Sequence, residues 1–288
     1  MKTLHINKRP RQFASRWEEL TPHQVAAYCT MVYQHRSILF EPGKTKNTLK
    51  YTSKEAYYYT ATSLLLVLFW HHKRIYGKAT AEQKQSLISE FALTEFLQKE
   101  PQFAEQKNPF PVLATGFLFQ KKLYGPVLRF DELELLEFFM ADGFYFDYRM
   151  GGKVDDLDNF ISILYRPKGT IPPGHPDYKG DIRLPFNINN TDLYYQWAKQ
   201  LPIGQKLAVL LWFDSVRTAF SKRYAALFSA SRKSKGPDKL ASLKMINSLA
   251  GGIFGNLEET QRQKVLDVFT EIERLKEEAD EFKKQSKQ

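Results

Sequence analysis

Apolar residues recur at helical spacing along most of this 288-residue chain, and residues that favour helix starts stand in front of them. Thr21-Pro22-x-Gln24 combines an N-cap, a proline at the first helical position and a glutamine that can complete a capping box. Similar starts occur at Thr52-x-x-Glu55, Thr80-x-x-Gln83, Asp131-x-x-Glu134 and Asn256-x-x-Glu259. This pattern predicts a mainly α, irregular multi-helix domain.

The predicted helices follow these starts, and glycine or proline ends several of them. One runs from the start at 52–55 to about Tyr76, and a long one runs from Pro202 to about Phe228. Others are predicted after 21, 80, 131, 155, 190 and 256, and around 238–249. Leu4–Ile6 alternates with polar residues, which indicates a small N-terminal β element. The segment 143–150 has β-rich composition but sits between two predicted helices.

The domain organisation follows from charge and breaker residues. Residues 1–20 are predicted to form a basic arm or edge strand, and residues 21–231 are predicted to form one main helical domain. Residues 232–255 form a basic linker and short helix, starting at Arg232-Lys233-Ser234-Lys235-Gly236-Pro237, and 256–288 form a C-terminal amphipathic helix. A long loop with no helical period spans 166–190 and holds five of the 14 prolines. Loops of this length are often functional.

The aromatic content is high, with 22 Phe, 15 Tyr and 4 Trp. These side chains supply a large core without disulfides or metals, which excludes disordered, fibrous and disulfide-stapled classes. The single Cys29 lies in an apolar helical pattern and reads as a buried, inert thiol.

The N-terminus lacks the apolar core of a signal peptide. The strongest apolar runs, 64–70 and 207–213, are far shorter than the about 20 residues of a membrane span. These features predict a soluble protein that a signal peptide does not direct to secretion and that has no membrane partner.

The formal charge of +10 is unevenly distributed. Residues 1–50 hold nine basic and three acidic side chains (+6), and residues 201–255 hold nine and two (+7). Between them, residues 111–165 hold five and nine (−4). Two basic blocks around an acidic centre suit electrostatic docking or nucleic-acid contact, and an ordinary solvated basic face remains an alternative.

No motif predicts catalysis, a cofactor or a metal site. None of the six histidines has the i, i+4 partner of a helical zinc site. Asp155, Asp156 and Asp158 lack the glycine and final glutamate of a calcium loop, and they suit the first turn of a helix. The glycines at 251–255 precede no Lys-Ser or Lys-Thr, so they form no phosphate loop. We therefore predict a non-enzyme without cofactors.

The last predicted helix carries a heptad pattern. Its apolar positions step by three and four residues at Val265, Val268, Ile272, Leu275, Ala279 and Phe282. The pattern is shorter than the three to four heptads of a secure coiled coil. It fits either a helix lying on its own domain or a surface that binds a partner or a second copy.

Several short phrases follow one another along the chain: WEELTPxQ at 17–24, LYGP at 123–126, LYRP at 164–167, DIRxPFN at 181–187 and LP at 201–202. Their succession resembles an uncharacterised protein group encoded by phages and prophages, in stretches that also encode tail components. The resemblance covers most of 17–228. It implies a small, helical, non-enzymatic tail-assembly chaperone or minor virion component in the bacterial host cytoplasm during assembly, and leaves open whether it stays in the virion.

An assembly protein of this kind needs exposed docking surfaces for other virion or assembly proteins, or for a second copy. Two candidates are the proline-rich loop, with Arg166, Asp181, Arg183 and Phe186, and the terminal helix, with Ile272, Leu275 and Phe282. In another interpretation of the loop, Phe186 and Tyr178 simply hold it over the helical core.

The alternative function is nucleic-acid binding by a helical protein, using the basic faces of 1–50 and 201–255. The candidate contacts lie on or just after the long helix, at Arg217, Lys222, Arg223, Arg232, Lys233 and Lys235. No zinc-finger, basic-zipper or RNA-recognition signature accompanies them.

Overall fold

The computed structural model describes residues 1–6, 9–39, 54–69, 72–89, 95–98, 107–115, 121–178, 180–225 and 239–285. The fold is mainly helical, as predicted, with two small antiparallel hairpins. The chain divides into two compact units, Met1–Phe103 with Pro202–Ser215, and Ala104–Leu201 with Val216–Gln288.

The first unit begins with a hairpin and continues as helices. Strands β1 (Lys2–Ile6) and β2 (Arg9–Phe13) pair antiparallel, which confirms the predicted N-terminal β element. Helices α1 (Pro22–Leu39), α2 (Lys54–Leu68), α3 (Lys73–Lys78) and α4 (Ala81–Ser89) follow. The predicted helix over 52–76 is thus two helices, and its predicted start at Thr52 lies outside the described residues.

The start of α1 is capped as its sequence predicts. The Gln24 side chain accepts hydrogen bonds from the Thr21 backbone N–H (2.9 Å) and hydroxyl (3.0 Å). Its amide nitrogen also donates to the backbone oxygens of Val67 (3.1 Å) and Leu68 (3.3 Å), so the capping residue ties α1 to the end of α2. Cys29 is buried in α1, and burial raises the pKa of its thiol to about 12, as an inert thiol requires.

The second unit starts with another hairpin, β3 (Val112–Thr115) and β4 (Lys121–Tyr124). Helices α5 (Leu135–Gly151), α6 (Val154–Leu164) and α7 (Thr191–Ala198) follow. Helix α8 (Ile203–Arg223) contributes residues to both units. The chain ends with α9 (Lys239–Leu249), α10 (Leu257–Arg262) and α11 (Val265–Gln285).

Aromatic rings form the centre of this second unit. Phe138 of α5 lies 5.2 Å from Phe130 and 5.5 Å from Phe220 of α8, between ring centroids. Phe269 of α11 lies 4.9 Å from Phe220 and 5.6 Å from Tyr224. All five rings are buried. The first turns of α11 are therefore fixed to the core of this unit by ring packing.

Three sequence interpretations differ from the structure for tertiary reasons. The β-rich segment 143–150 continues α5, because Ala141, Tyr145 and Tyr148 are buried at helical spacing. The predicted helix from 256 is interrupted at Gln263, whose carbonyl accepts the Leu135 N–H (2.9 Å). The predicted main domain over 21–231 is divided between two units, and one of the boundaries, at 215/216, lies within the continuous helix α8, where no linker composition marks it.

Candidate functional site

A buried ion cluster holds both ends of the proline-rich segment 166–187. Glu137 of α5 is fully buried, and its Oε1 accepts hydrogen bonds from Nη1 of Arg166 and Nη1 of Arg183, each at 2.7 Å. The two guanidinium groups also donate to backbone oxygens of the α6 end, Arg166 to Ile163 (3.1 Å) and Arg183 to Leu164 (2.7 Å). The cluster therefore joins α5, the end of α6 and the segment.

A second carboxylate completes the cluster. Asp181 binds Arg183 through both oxygens, with distances of 2.9 Å and 3.1 Å to Nε and 2.8 Å to Nη2. It also lies 3.5 Å from Nη2 of Arg166. Burial alone would raise the pKa of Asp181, but the charge and hydrogen bonds of Arg183 outweigh it and lower the pKa. Two carboxylates thus balance two guanidinium groups, which is what a buried cluster needs.

Backbone hydrogen bonds join the two ends of the proline-rich segment to each other. The Gly169 N–H donates to the Ile182 carbonyl (2.8 Å), and the Leu184 N–H donates to the Pro167 carbonyl (2.9 Å). Residues 170–177, between these paired ends, are exposed. The segment is therefore a loop with a fixed base and an exposed tip.

Three of the short sequence phrases, at 123–126, 164–167 and 181–187, meet at this place. Tyr124 and Arg166 exchange backbone hydrogen bonds of 2.7 Å and 3.0 Å, which joins 123–126 to 164–167. Gly125 faces the Tyr165 ring so closely that a Cβ would overlap it. The phrase 181–187 supplies Asp181 and Arg183 of the cluster. These phrases therefore specify a structural joint.

The acidic residues around this joint sit at its partly exposed edge. Burial raises the pKa of Glu132, more than the hydrogen bond from the Val127 N–H lowers it. Burial and the neighbouring Glu137 raise the pKa of Glu134. The Lys264 ammonium donates to the Glu132 backbone oxygen (2.8 Å), which connects the joint to the start of α11.

The loop residues predicted for docking do not form an exposed surface. Arg166 and Arg183 are 1% and 3% exposed, and Phe186, also buried, lies 5.5 Å from the Arg166 guanidinium. Asp181 is half-buried within the cluster. The prediction that the two arginines meet a partner is corrected, because Glu137 binds both of them internally. The second interpretation, in which Phe186 holds the loop down, matches its burial.

The sequence analysis did not single out Glu137. The available signal was a carboxylate within an apolar helical stretch, Leu135-Leu136-Glu137-Phe138-Phe139, at a position that faces the core. A buried carboxylate requires cationic partners. Its partners are 29 and 46 residues away along the chain, however, and no local pattern identifies them.

The basic residues predicted to contact nucleic acid differ in how exposed the structure leaves them. The Arg217 guanidinium pairs with the Asp142 carboxylate and lies 4.3 Å from the Phe146 ring centroid, so it is already engaged within the unit. Lys222 and Arg223 at the end of α8 are exposed. Arg232, Lys233 and Lys235 lie outside the described residues. Of the six predicted nucleic-acid contacts, two are therefore exposed side chains in the described structure.

The terminal helix changes from buried to exposed along its length. Val265 and Val268 are fully buried, and Ile272 is half-buried. Leu275 is 40% exposed and Phe282 is 76% exposed. The proximal heptad positions therefore pack on the helix's own unit, and the distal ones present an apolar face that the described residues leave uncovered. We call residues 272–282 the distal face.

An ion network lies beside the distal face. The Arg274 guanidinium binds the Glu271 carboxylate (2.9 Å to Nε) and also pairs with Glu278 one turn further on. All three side chains are on the helix surface, so each pair contributes little to stability. The network aligns two glutamates along one flank of the apolar stripe.

In the described part of the chain, no group of three or more His, Cys, Asp or Glu side chains is arranged to hold a metal ion. Asp158 is buried, and Asp155 accepts a hydrogen bond from the Tyr195 hydroxyl (3.2 Å). Among the described helices, none is long and apolar enough to cross a membrane.

Comparison of the chain with protein-family models, with curated proteins and with solved structures finds no match.

Proposed function

We propose that this chain is a non-enzymatic assembly or structural protein that acts by binding other proteins, and that the distal face of α11 is its docking surface. The observation that carries the proposal is the exposure of Leu275 (40%) and Phe282 (76%) on a helix whose first turns are anchored in the core. Apolar side chains placed regularly along one helix face are a common form of partner recognition.

The anchoring of α11 supports this role. Val265, Val268 and Phe269 are buried, and Phe269 packs among the rings of Phe220 and Tyr224. Because one end of the helix is fixed, a partner does not have to order the whole helix, and docking costs less conformational entropy. The resemblance to phage and prophage tail-region proteins supports virion or tail assembly as the setting.

Site-specific photo-crosslinking tests this proposal. A photoreactive amino acid replaces Phe282 in one variant and Met150 in a control, in cells that carry the chain together with its neighbouring genes. Met150 is 81% exposed in the last turn of α5 and belongs to a different helix from the heptad positions. We expect crosslinked polypeptides from position 282, identified by mass spectrometry as virion components or a second copy. Equal crosslinking from both positions would overturn the docking role.

Nucleic-acid binding is the competing function, and the exposed Lys222 and Arg223 in the +7 block favour it. A gel shift with random duplex and single-stranded DNA separates the two functions. Micromolar binding that falls steeply with salt, and that weakens in Lys222→Ala/Arg223→Ala, would favour nucleic-acid binding over docking. We expect no such binding.

A further inference from the structure

The tip of the proline-rich loop, residues 170–177, is a second exposed surface, which the docking role of α11 does not use. All eight residues are exposed, and the Ile171 side chain is 42% exposed. The base of the loop is held by the buried cluster around Glu137, Arg166 and Arg183. Because all three side chains are tied to the core of their unit, the cluster fixes the place from which the tip leaves the surface.

Two consecutive turns order the tip. The His175 N–H donates to the Pro172 carbonyl (3.2 Å), and the Tyr178 N–H donates to the His175 carbonyl (2.9 Å). The first turn has a proline at its second position and Gly174 with a φ of +93° at its third, as a type II turn requires. Since prolines also restrict the conformations of a free loop, docking of this tip costs little conformational entropy.

The backbone of the tip is unsuited to pairing with a strand of another protein. Residues 172, 173 and 176 are prolines and have no N–H to donate. His175 and Tyr178 use their N–H groups within the turns, and the Asp177 N–H donates to Nδ1 of His175 (3.2 Å). Addition to a sheet edge depends on main-chain hydrogen bonds. The tip therefore presents mainly pyrrolidine rings and carbonyl oxygens to a partner.

The charges of the tip do not favour ionic recognition either. In residues 170–177 the only formal charge at pH 7 belongs to Asp177, whose carboxylate lies 3.7 Å from Nδ1 of His175. Three prolines and Ile171 supply the apolar surface. Proline-rich segments dock on aromatic side chains, and Trp and Tyr also carry N–H and O–H donors for carbonyl oxygens. An aromatic surface thus matches the chemistry of the tip.

We propose that the loop tip binds an aromatic-lined pocket of a partner protein, with Ile171, Pro172 and Pro173 as its contact residues. The tip is folded into turns and is not an extended polyproline helix, so a compact pocket fits it and a long groove does not. This docking surface goes beyond the distal face of α11 and does not depend on it.

Photo-crosslinking from the tip tests the proposal, in cells that carry the chain together with its neighbouring genes. A photoreactive amino acid replaces Ile171 in one variant and Met150, which is 81% exposed in α5, in the control. We expect position 171 to crosslink one partner protein, at a peptide that contains Trp, Tyr or Phe. A peptide without aromatic residues, a crosslink to a second copy or to nucleic acid, or a yield no higher than that of the control would overturn the proposal.

Affinity for the purified partner, measured by titration calorimetry, separates recognition from stability. Pro172→Ala/Pro173→Ala should weaken binding about tenfold. Gly174→Ala should weaken it about fivefold, because alanine disfavours a φ of +93°. No atom lies within 4 Å of a Cβ at Gly174, so this variant introduces no clash. The control Pro111→Ala, at an exposed proline outside the tip, should bind like the wild type.

All these variants should keep the helical circular dichroism of the wild type, since the changed residues are exposed. Tip variants that bind as tightly as Pro111→Ala would overturn the proposal. The two docking surfaces also fail separately. Crosslinks from position 282 without crosslinks from position 171 would overturn the role of the tip and leave the distal face standing, and the reverse result would overturn the distal face alone.

Discussion

Replacement of Glu137 by glutamine should destabilise the second unit strongly. The Glu137 carboxylate accepts two 2.7 Å hydrogen bonds from Arg166 and Arg183, and both guanidinium groups are almost fully buried. Glutamine keeps the size of the side chain but loses the charge, and it turns an N–H donor toward groups that only donate. Asp181 would then be left to balance two buried cations.

The magnitude follows from these contacts. Both 2.7 Å hydrogen bonds end on Oε1, and an amide oxygen in that place can still accept them, so the loss comes from the missing charge and from the amide nitrogen that would face the Nη2 groups of Arg166 and Arg183. Removing one partner from a buried ion pair costs about 3–5 kcal/mol. We therefore expect Glu137→Gln to lower the free energy of unfolding by about 3–5 kcal/mol, a large part of the about 5–15 kcal/mol that stabilises a typical native protein.

Urea denaturation followed by far-ultraviolet circular dichroism measures this loss. Hydrogen exchange of peptides from 160–187 locates it, because these residues belong to the second unit and hold the cluster. The control is Glu258→Gln. Glu258 pairs with Arg262 at 2.9 Å, but both side chains are more than 60% exposed, so the cost should be below about 1 kcal/mol. A loss for Glu137→Gln no larger than that of the control would refute the reasoning.

Two further predictions concern pH and close packing. Because Arg183 lowers the pKa of Asp181, the carboxylate stabilises the fold above the unfolded pKa of about 4, and this stability is lost as pH falls through the folded pKa. Denaturation at several pH values should show Asp181→Asn less stable than wild type near pH 7, with a gap that narrows below about pH 4; a constant gap would contradict this. Gly204→Ala should lower the thermal midpoint, since a Cβ would lie 2.5 Å from the Ala26 carbonyl oxygen, at a cost of about 1–3 kcal/mol. The matched Gly77→Ala, with no atom within 4 Å of its Cβ, should keep or raise the midpoint, and equal behaviour of the two variants would refute the packing argument.

Local patterns predicted the helices well where the controlling interactions are themselves local. Thr80 and Gln83 form the reciprocal hydrogen bonds expected from their spacing, and Asn256 and Glu259 form a full capping box. The hairpin of β3 and β4 was not predicted. Its strands have only four residues each, and the pairing of 112–115 with 121–124 depends on contacts that no helical or alternating pattern records.

The helical periodicity of the last segment is visible in the sequence. Heptad spacing is a property of one continuous segment, so the positions of Ile272, Leu275 and Phe282 on one face follow directly from their numbers. The proximal half of that face is covered because the rings of Phe138 and Phe220, which are distant along the chain, pack against Phe269. Exposure is therefore a tertiary property even where periodicity is a sequence property.

The proline-rich segment shows the opposite case. Its length, its five prolines and its lack of helical period are visible in the sequence and predict a loop. Whether Arg166 and Arg183 point into the core or into solvent depends on Glu137. The buried carboxylate between the two arginines holds them inside, and without this carboxylate they would remain solvated.

The sequence by itself determined the mainly helical class, the caps at 21–24, 80–83 and 256–259, the apolar stripe of the last helix and the loop at 166–190, because each depends on neighbours within a few residues. The start predicted at Asp131-x-x-Glu134 was wrong, since α5 begins at Leu135 with Glu134 as its N-cap. Only the tertiary structure decided that Arg166 and Arg183 are buried and that Leu275 and Phe282 are exposed. The physical reason is that burial and charge balance are set by groups brought together from distant parts of the chain. A single segment does not contain that information.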